Sequence, residues 1–190
     1  GHLRLVLVGR GDLGGKIVSC SSIRDVSWVA IRAYADQHGV DSGTIKFVEL
    51  PMTVVPAALE QRRVDAGSIL NPTLAEALAT GHFRSLGAPF DGIAKRWTVA
   101  AWSTTLDFVN KNRDTVDRFA RVMRVATLYA NAHHAETAPL IAAFAGIEPA
   151  HALAMKRVDL GEYLDPRDIQ PAIDAAAKYG IIEKSFPAQD

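Results

Sequence analysis

Short runs of β-branched and other apolar residues alternate with amphipathic stretches in the first half of this 190-residue sequence, and that alternation leaves few folds open. The stretches between the runs place apolar residues at helical spacing. Strands that alternate with helices in this way predict βα units around a mostly parallel central sheet. The runs with the length and composition of strands are residues 3–8, 16–19, 44–50, 64–70 and 97–102.

The second half of the sequence has a different pattern, which is almost wholly helical from about Thr105 to Gly180. Apolar residues recur at helical spacing from Val116 to Ala130. Asp165 and Pro166 provide the start of a last helix, which Gly180 ends. The sequence therefore predicts an α/β half, a break near residues 103–105 and a helical half.

Charge and cysteine content exclude several classes of function. The 21 basic and 21 acidic residues cancel, and neither sign forms a long block, so the sequence lacks the basic surface that nucleic acids or anionic membranes require. No apolar run approaches the roughly 20 residues that cross a bilayer. The single cysteine, Cys20, excludes an internal disulfide and a cysteine-cluster metal site.

A glycine-rich segment follows the first predicted strand and fits the GxGxxG pattern at Gly9, Gly11 and Gly14. A dinucleotide-binding loop has to lead directly into a helix, so that the pyrophosphate meets free backbone N–H groups. Here residues 16–19 have the composition of a strand instead. We therefore expect no nucleotide and no other cofactor.

The residue types that usually carry catalysis form no recognisable arrangement. No GxSxG sequence occurs, and the sequence around Cys20 does not mark it as an activated thiol. His133 and His134 are adjacent on a predicted helix and point about 100° apart, which is unsuitable for chelating one ion. These patterns favour a binding protein over an enzyme and predict no metal site.

Three polar segments occupy the same topological position, each directly after a predicted strand and before a predicted helix. In an open α/β sheet, ligands bind beyond the carboxyl ends of the strands, where free N–H groups of the following helices favour anions. Simple helix capping remains an alternative for each segment, since Ser22 with Asp25 fits a capping box. The predicted ligand-binding residues are Ser21, Ser22, Met52, Thr53, Asn71 and Thr73, with Met52 as an apolar wall.

Several phrases along the sequence resemble a known family. Residues 12–18, DLGGKIV, resemble the segment through which the type 2 periplasmic solute-binding proteins for aliphatic sulfonates, taurine and nitrate enter their second lobe. Gly14 replaces the usual lysine of that phrase. Similar phrases follow in the family's order: AALEQRRVDAG at residues 57–67, FVNKNRDTVDRF at 108–119, and DIQPAID with KYG within 168–180.

The resemblance implies an α/β fold with a complete second lobe at residues 12–102, whose central sheet is mostly parallel, followed by a helical C-terminal half. Residues 1–11 and 103–190 would be the remnant of a first lobe. Members capture a small, often anionic solute between two lobes in the periplasm and deliver it to the permease of an ABC importer. Because only residues 1–11 precede the DLGGKIV phrase, we expect the remnant helices to be covered either by a domain-swapped or homo-oligomeric contact or by the second lobe.

Two alternatives share the fold that this resemblance implies. Pyrimidine-synthesis enzymes of thiamine biosynthesis use a protein histidine as substrate, but no histidine here lies at the end of a predicted strand. The effector half of LysR-type transcription regulators is near this size. A DNA-binding helix-turn-helix upstream in the parent gene would favour the regulator.

Overall fold

The computed structural model describes residues 6–9, 13–71, 73–155 and 157–189. These residues form two compact units. The first, which we name the α/β unit, contains the described residues up to Val99 and those from Pro166 onward. The second, the helical unit, contains the described residues from Ala100 to Asp165.

A five-stranded mixed sheet forms the centre of the α/β unit. Its strands are β1 (Val6–Gly9), β2 (Ile17–Cys20), β3 (Lys46–Glu49), β4 (Ala66–Ile69) and β5 (Arg84–Gly87), in the order β3-β2-β4-β1-β5. β2 is parallel to both β3 and β4, whereas β1 is antiparallel to β4 and β5. Four of these five strands therefore run in one direction, and the prediction of a mostly parallel sheet is confirmed.

Helices cover the sheet of the α/β unit. They are α1 (Val26–Gln37), α2 (Val55–Glu60) and α3 (Thr73–Ala79), and a further helix, α8 (Pro166–Lys178), packs on α1. One apolar cluster joins Val18 and Cys20 of β2 to Ile31 of α1, and another joins Ile69 of β4 to Leu59 of α2. The α/β unit therefore has apolar cores formed by α1 and α2 against the sheet.

The helical unit consists of α4 (Leu106–Lys111), α5 (Arg113–Ala132), α6 (His134–Ala145) and α7 (Pro149–Ala154). Its small buried cluster contains Ala138 and Ala142 of α6 and Ala152 of α7. Alanine side chains bring little apolar area to a core. Within the described residues, no helix is long and apolar enough to cross a membrane.

The chain from Trp97 to Trp102 is not a strand, so the fifth predicted strand is wrong. Trp97 instead packs edge-on against Phe90, with ring centroids 5.4 Å apart, and its Nε1–H donates to the Phe90 carbonyl at 3.1 Å. Trp97 and Val99 of this segment thus pack against the apolar core without forming a strand. The fifth strand of the sheet is β5, which the sequence analysis did not predict.

The C-terminal segment packs within the α/β unit, although the expected boundary placed residues 103–190 together in a first-lobe remnant. Ala175 and Tyr179 join Val29 and Ala33 of α1 in one buried cluster. The Tyr179 hydroxyl donates to Asp36 Oδ2 at 2.7 Å. This cluster and hydrogen bond explain why α8 groups with α1, on which it packs.

The glycine-rich segment leads into β2 and not into a helix, as predicted, since Gly14 and Gly15 form a turn before Ile17. Parts of three predictions lie outside the described residues. They are residues 3–5 of the first strand, residues 10–12 of the glycine-rich segment, and Pro72.

Candidate functional site

The three polar segments lie at one edge of the sheet, because the strands that precede them are adjacent and parallel. Cys20 at the end of β2 is in register with Glu49 at the end of β3, and Ser19 is in register with Gly67 of β4. Adjacent strands are about 4.8 Å apart, so three strand ends span roughly 10 Å. That width suits a small solute, and we name this edge the carboxyl edge.

Four of the six predicted side chains have free polar groups at the carboxyl edge. The side chains of Ser21, Thr53, Asn71 and Thr73 form no hydrogen bond with any other described residue, and all four residues are exposed or half-exposed. Thr53 is not a helix cap, since the N-cap of α2, the helix that follows, is Val54 and no side chain caps that helix. The capping alternative is therefore wrong for Thr53.

Ser22 is already occupied by a neighbouring carboxylate. Its hydroxyl donates to Glu49 Oε1 at 2.8 Å, and the backbone N–H of Ile23 donates to the same oxygen at 2.6 Å. These two hydrogen bonds, the one from Ile23 first, lower the pKa of the Glu49 carboxyl below its ordinary value. An anionic head group that used this donor pair would have to displace Glu49.

The start of α1 differs from the predicted capping box. Asp25, and not Ser22, is the cap: its carboxylate accepts hydrogen bonds from Trp28 N–H at 2.9 Å and from Ser27 Oγ at 2.7 Å. Arg24 before it has φ 72°, a left-handed backbone conformation that non-glycine residues seldom adopt. Its guanidinium donates to the Gly180 carbonyl at 2.7 Å. The Arg24 side chain is thus engaged with the backbone that follows α8.

Met52, the predicted apolar wall, is partly covered by other apolar residues. It is half-buried and packs against two apolar clusters, one around Val55 and Leu59 and one around Ala30 and Phe90.

A groove of about 180 Å³ opens beside α1, lined mainly by Val26, Val29, Trp97, Ala172, Ala176 and Ile181. This volume is below the roughly 300 Å³ at which pockets for drug-sized ligands begin.

The chemistry available at the carboxyl edge favours binding over catalysis. A serine nucleophile needs a base that is itself oriented by a third group, and the lowered pKa of Glu49 makes its carboxylate a weak base for Ser22. Cys20 is buried, and burial followed by the charges of Asp25 and Glu49 raises its thiol pKa to about 12. Such a thiol is inert at neutral pH. This agrees with the sequence around Cys20, which does not mark it as an activated thiol.

No described histidine lies at the carboxyl edge. His38 follows α1, His82 lies in the turn after α3, His133 separates α5 from α6, and His134 and His151 lie within α6 and α7. Among the described residues, no three histidine, cysteine or carboxylate side chains are grouped so that they could hold a metal ion.

Sequence analysis missed the role of Glu49 and Arg24. Glu49 reaches across 26 residues of sequence to Ile23, and Arg24 reaches across 156 to Gly180. Only the pairing of β2 with β3, which brings Glu49 beside Cys20, could have indicated the first contact.

Comparisons with known proteins agree with this architecture. Residues 10–137 match the family described as NMT1/THI5 like. The structure of the periplasmic aliphatic sulphonate-binding protein SsuA from Escherichia coli superposes with a TM-score of 0.71 and 17% identity, and it covers 98% of this chain and 67% of its own. The alkanesulfonate-binding protein SsuA from Xanthomonas axonopodis pv. citri, bound to MOPS, superposes with a TM-score of 0.68 and 15% identity. The match covers 98% of this chain and 68% of the Xanthomonas chain.

The desulfurization enzyme DSZB also shares the fold, with a TM-score of 0.64, 15% identity, and coverage of 99% of this chain and 73% of its own. The chain thus spans about two thirds of the length of these solved structures. A comparison with curated proteins finds no match to the sequence. The prediction of a type 2 periplasmic-binding-protein fold is confirmed.

Proposed function

Because the chain belongs to the NMT1/THI5-like family, we propose that it acts as the substrate-binding component of an ABC importer. The observation that carries this proposal is the carboxyl edge. There, Ser21, Thr53, Asn71 and Thr73 present free hydroxyl and amide groups after three adjacent parallel strands. In open α/β sheets this is where ligands bind.

The proposed solute is small and sulfonate-like or nitrate-like. Hydroxyl and amide groups donate hydrogen bonds to the oxygens of such a head group. Two of the solved structures that share the fold are sulfonate-binding proteins. Glu49 restricts where the anion fits, since it fills the donors at Ser22 and Ile23. We therefore place the head group nearer to Thr53, Asn71 and Thr73, with the half-buried Met52 beside it.

The proposal includes a place and a partner. A protein of this function works in the periplasm, closes on its solute by a hinge motion and delivers it to the importer's permease. The sulfonate-binding protein from Escherichia coli is likewise described as periplasmic. No chemistry is performed on the solute, and no cofactor is required.

An enzyme of the same fold is the second candidate, because the DSZB structure shares this fold and Ser22 contacts a carboxylate. The lowered pKa of Glu49 argues against proton transfer there, and neither described histidine of the α/β unit, His38 or His82, directly follows a strand. Conversion of a bound solute into product would decide for the enzyme.

Calorimetry with taurine, alkanesulfonates, nitrate and pyrimidine precursors tests the proposal. We expect saturable binding of one class without turnover. Thr53→Ala and Asn71→Ala should each weaken it about five- to tenfold, because a lost hydrogen bond costs about 1 kcal/mol and 1.4 kcal/mol corresponds to a factor of ten. Thr104→Ala, an exposed threonine of the helical unit, is the matched control. Turnover of a solute, or equal effects of all three substitutions, would contradict the proposal.

A further inference from the structure

The loop that joins β2 to α1, residues 21–25, brings Ser21 to the carboxyl edge, where its hydroxyl bonds no other described residue. The backbone of this β2–α1 loop is fixed at two points. The Ser21 N–H donates to Ser27 Oγ at 3.1 Å, and the Ile23 N–H donates to Glu49 Oε1 at 2.6 Å. A solute that bonds Ser21 therefore meets a donor whose backbone is already ordered, which lowers the entropy cost of binding.

Arg24 has an unfavourable backbone conformation within the β2–α1 loop. Its φ is 72°, and Arg62 is the one other non-glycine residue of the described chain with a positive φ. A residue with a Cβ keeps this left-handed conformation only where surrounding contacts hold it. Strained residues of this kind cluster at functional sites, and Arg24 lies close to Ser21 in the sequence.

The end of α8 holds the Arg24 side chain. The guanidinium donates to the Gly180 carbonyl at 2.7 Å and lies 3.4 Å from the Ile181 carbonyl oxygen. These carbonyls follow α8, and the negative end of the helix dipole favours a cation there. α8 is itself fixed on α1, because Ala175 and Tyr179 join residues of α1 in one buried cluster. The Arg24 side chain therefore connects the β2–α1 loop to a rigid support.

The conformation of Arg24 determines where the rest of the β2–α1 loop lies relative to α1. The next residue, Asp25, is fixed as the cap of α1 by the hydrogen bond from the Trp28 N–H at 2.9 Å. Rotation about φ of Arg24 would therefore move residues 21–23 relative to the helix. A return to the usual negative φ would turn these residues out of their present position and break the hydrogen bonds that they donate to Glu49.

We propose that Arg24 is a positioning residue of the solute site: by holding the end of α8, its guanidinium keeps the β2–α1 loop in the arrangement that presents the Ser21 hydroxyl to the solute. This inference rests on the proposed function, since it concerns the same site at the carboxyl edge. Arg24 acts through the backbone of the loop and makes no contact with the solute. Its loss should therefore loosen the loop whether or not a solute is present.

The position of the loop is measured without solute, through the hydrogen bonds that it donates to Glu49. The hydrogen bonds from Ile23 and Ser22 lower the pKa of the Glu49 carboxyl. In Arg24→Ala the strain remains and the anchor is lost, so we expect this pKa to rise toward its ordinary value near 4.3. An NMR titration of the Glu49 carboxyl carbon measures it in about 1 M sodium chloride, where the lost charge is screened beyond about 3 Å. Arg24→Lys keeps a cationic donor for the same carbonyls and should keep the lowered pKa.

Solute affinity is measured by calorimetry with taurine and with methanesulfonate. Arg24→Ala should bind about tenfold more weakly any of these solutes that the wild type binds, the factor expected when about one residue has to be ordered on binding. Arg24→Lys should bind like the wild type. Arg62→Ala is the matched control, because Arg62 has the same left-handed backbone but lies between α2 and the start of β4, away from the carboxyl edge. It should change neither the affinity nor the pKa of Glu49.

Arg24→Gly separates positioning from stability. Glycine adopts a positive φ without strain, so this variant should resist urea about as well as the wild type, yet bind solute more weakly because its loop has lost the anchor. Wild-type affinity in Arg24→Gly, an unchanged pKa of Glu49 in Arg24→Ala, or equal effects of Arg62→Ala would overturn the role of Arg24 and leave the solute site in place. No binding of either solute by the wild type would instead overturn the proposed function, and the role of Arg24 at the solute site with it.

Discussion

The α/β unit and the helical unit differ in where their large apolar side chains lie. In the α/β unit Val18, Ile31, Leu59 and Ile69 are almost completely buried, and they come from strands and helices on both sides of the sheet. In the helical unit alanines dominate the small buried cluster, while Phe144 is 96% exposed. A sheet offers helices a broad apolar surface to cover, and the described helical unit contains no sheet.

This contrast explains why the proposed solute site lies in the α/β unit. A binding edge needs rigid strands that hold side chains in position, and the α/β unit supplies them. Each prediction below compares a change in one unit with a matched change in the other.

Leucine-to-alanine substitutions should show the largest difference in stability effect between the two units. Leu59→Ala should lower the free energy of unfolding by about 2–5 kcal/mol, because it leaves a cavity in a fully buried cluster. Leu140→Ala removes the same atoms from an exposed position of α6 and should change it by less than about 0.5 kcal/mol. Urea denaturation followed by circular dichroism measures both. Comparable losses would show that the helical unit has a core of its own at Leu140.

Glycine-to-alanine substitutions probe close packing. A Cβ at Gly92 would lie 2.4 Å from the backbone nitrogen of Tyr34 in α1, and backbone cannot move aside as a side chain can. Gly92→Ala should therefore cost about 1–3 kcal/mol. Gly161→Ala is the control, because its Cβ would meet no atom closer than 3.4 Å. Thermal unfolding compares the two, and a harmless Gly92→Ala would contradict the tight packing against α1.

The attachment of α8 to α1 should depend on Tyr179 and on pH. Burial raises the pKa of Asp36, but hydrogen bonds from Tyr179 and Ser42 and the charge of Lys178 outweigh it, so that the pKa is lowered overall. A carboxyl with a lowered folded-state pKa stabilises the fold above its unfolded value near 4, and this contribution is lost as pH falls through the folded value.

Tyr179→Phe should therefore cost about 1.5 kcal/mol at pH 7, since it removes a hydrogen bond to a charged group. It should also reduce the loss of stability below pH 4. Denaturant unfolding at several pH values measures both effects. Tyr163→Phe, an exposed tyrosine of the helical unit, is the control. Identical acid profiles for Tyr179→Phe and the wild type would show that Tyr179 does not lower the pKa of Asp36.

The charge of the carboxyl edge should depend on Glu49. Glu49→Gln removes the negative charge beside Ser22 and Ile23, so methanesulfonate should bind several-fold more tightly. Because the pKa of Glu49 is lowered, the wild type should keep its weaker affinity at neutral pH and gain affinity only below the usual range of glutamate, near 4.3. Isothermal titration calorimetry measures both. Glu148→Gln in the helical unit is the control, and weaker anion binding by Glu49→Gln would show that Glu49 does not repel the anion.

Much of the sheet could be predicted because local composition determines it. β3 and β4 lie within predicted runs of β-branched and apolar residues, and β2 extends one residue beyond its run, 16–19. β5 was not predicted because its sequence, RSLG, has only one large apolar residue. A strand at the edge of a sheet can form with few apolar residues. The segment 97–102 was wrongly predicted to be a strand because its residues have the composition of one. In the structure Trp97 packs against Phe90 instead.

The position of the candidate site could be predicted from the sequence, but the charges and hydrogen bonds around it could not. The rule that ligands bind at the carboxyl ends of parallel strands identifies Ser21, Thr53 and Asn71 from strand positions alone. It could not identify Glu49, whose contact with Ile23 requires the register of β2 with β3. Nor could it show that Met52 packs into two apolar clusters.

Solute binding at the carboxyl edge is tested by an NMR titration of the ¹⁵N-labelled chain with taurine and with methanesulfonate, at neutral pH and up to millimolar concentrations. We predict saturable shifts of the backbone amides at residues 21–23, 52–53 and 71–73 for at least one of these solutes. The helical unit and the groove beside α1 should remain unchanged, and no product signals should appear. Shifts confined to other residues, no shifts at all, or signals of a converted solute would contradict the proposed function.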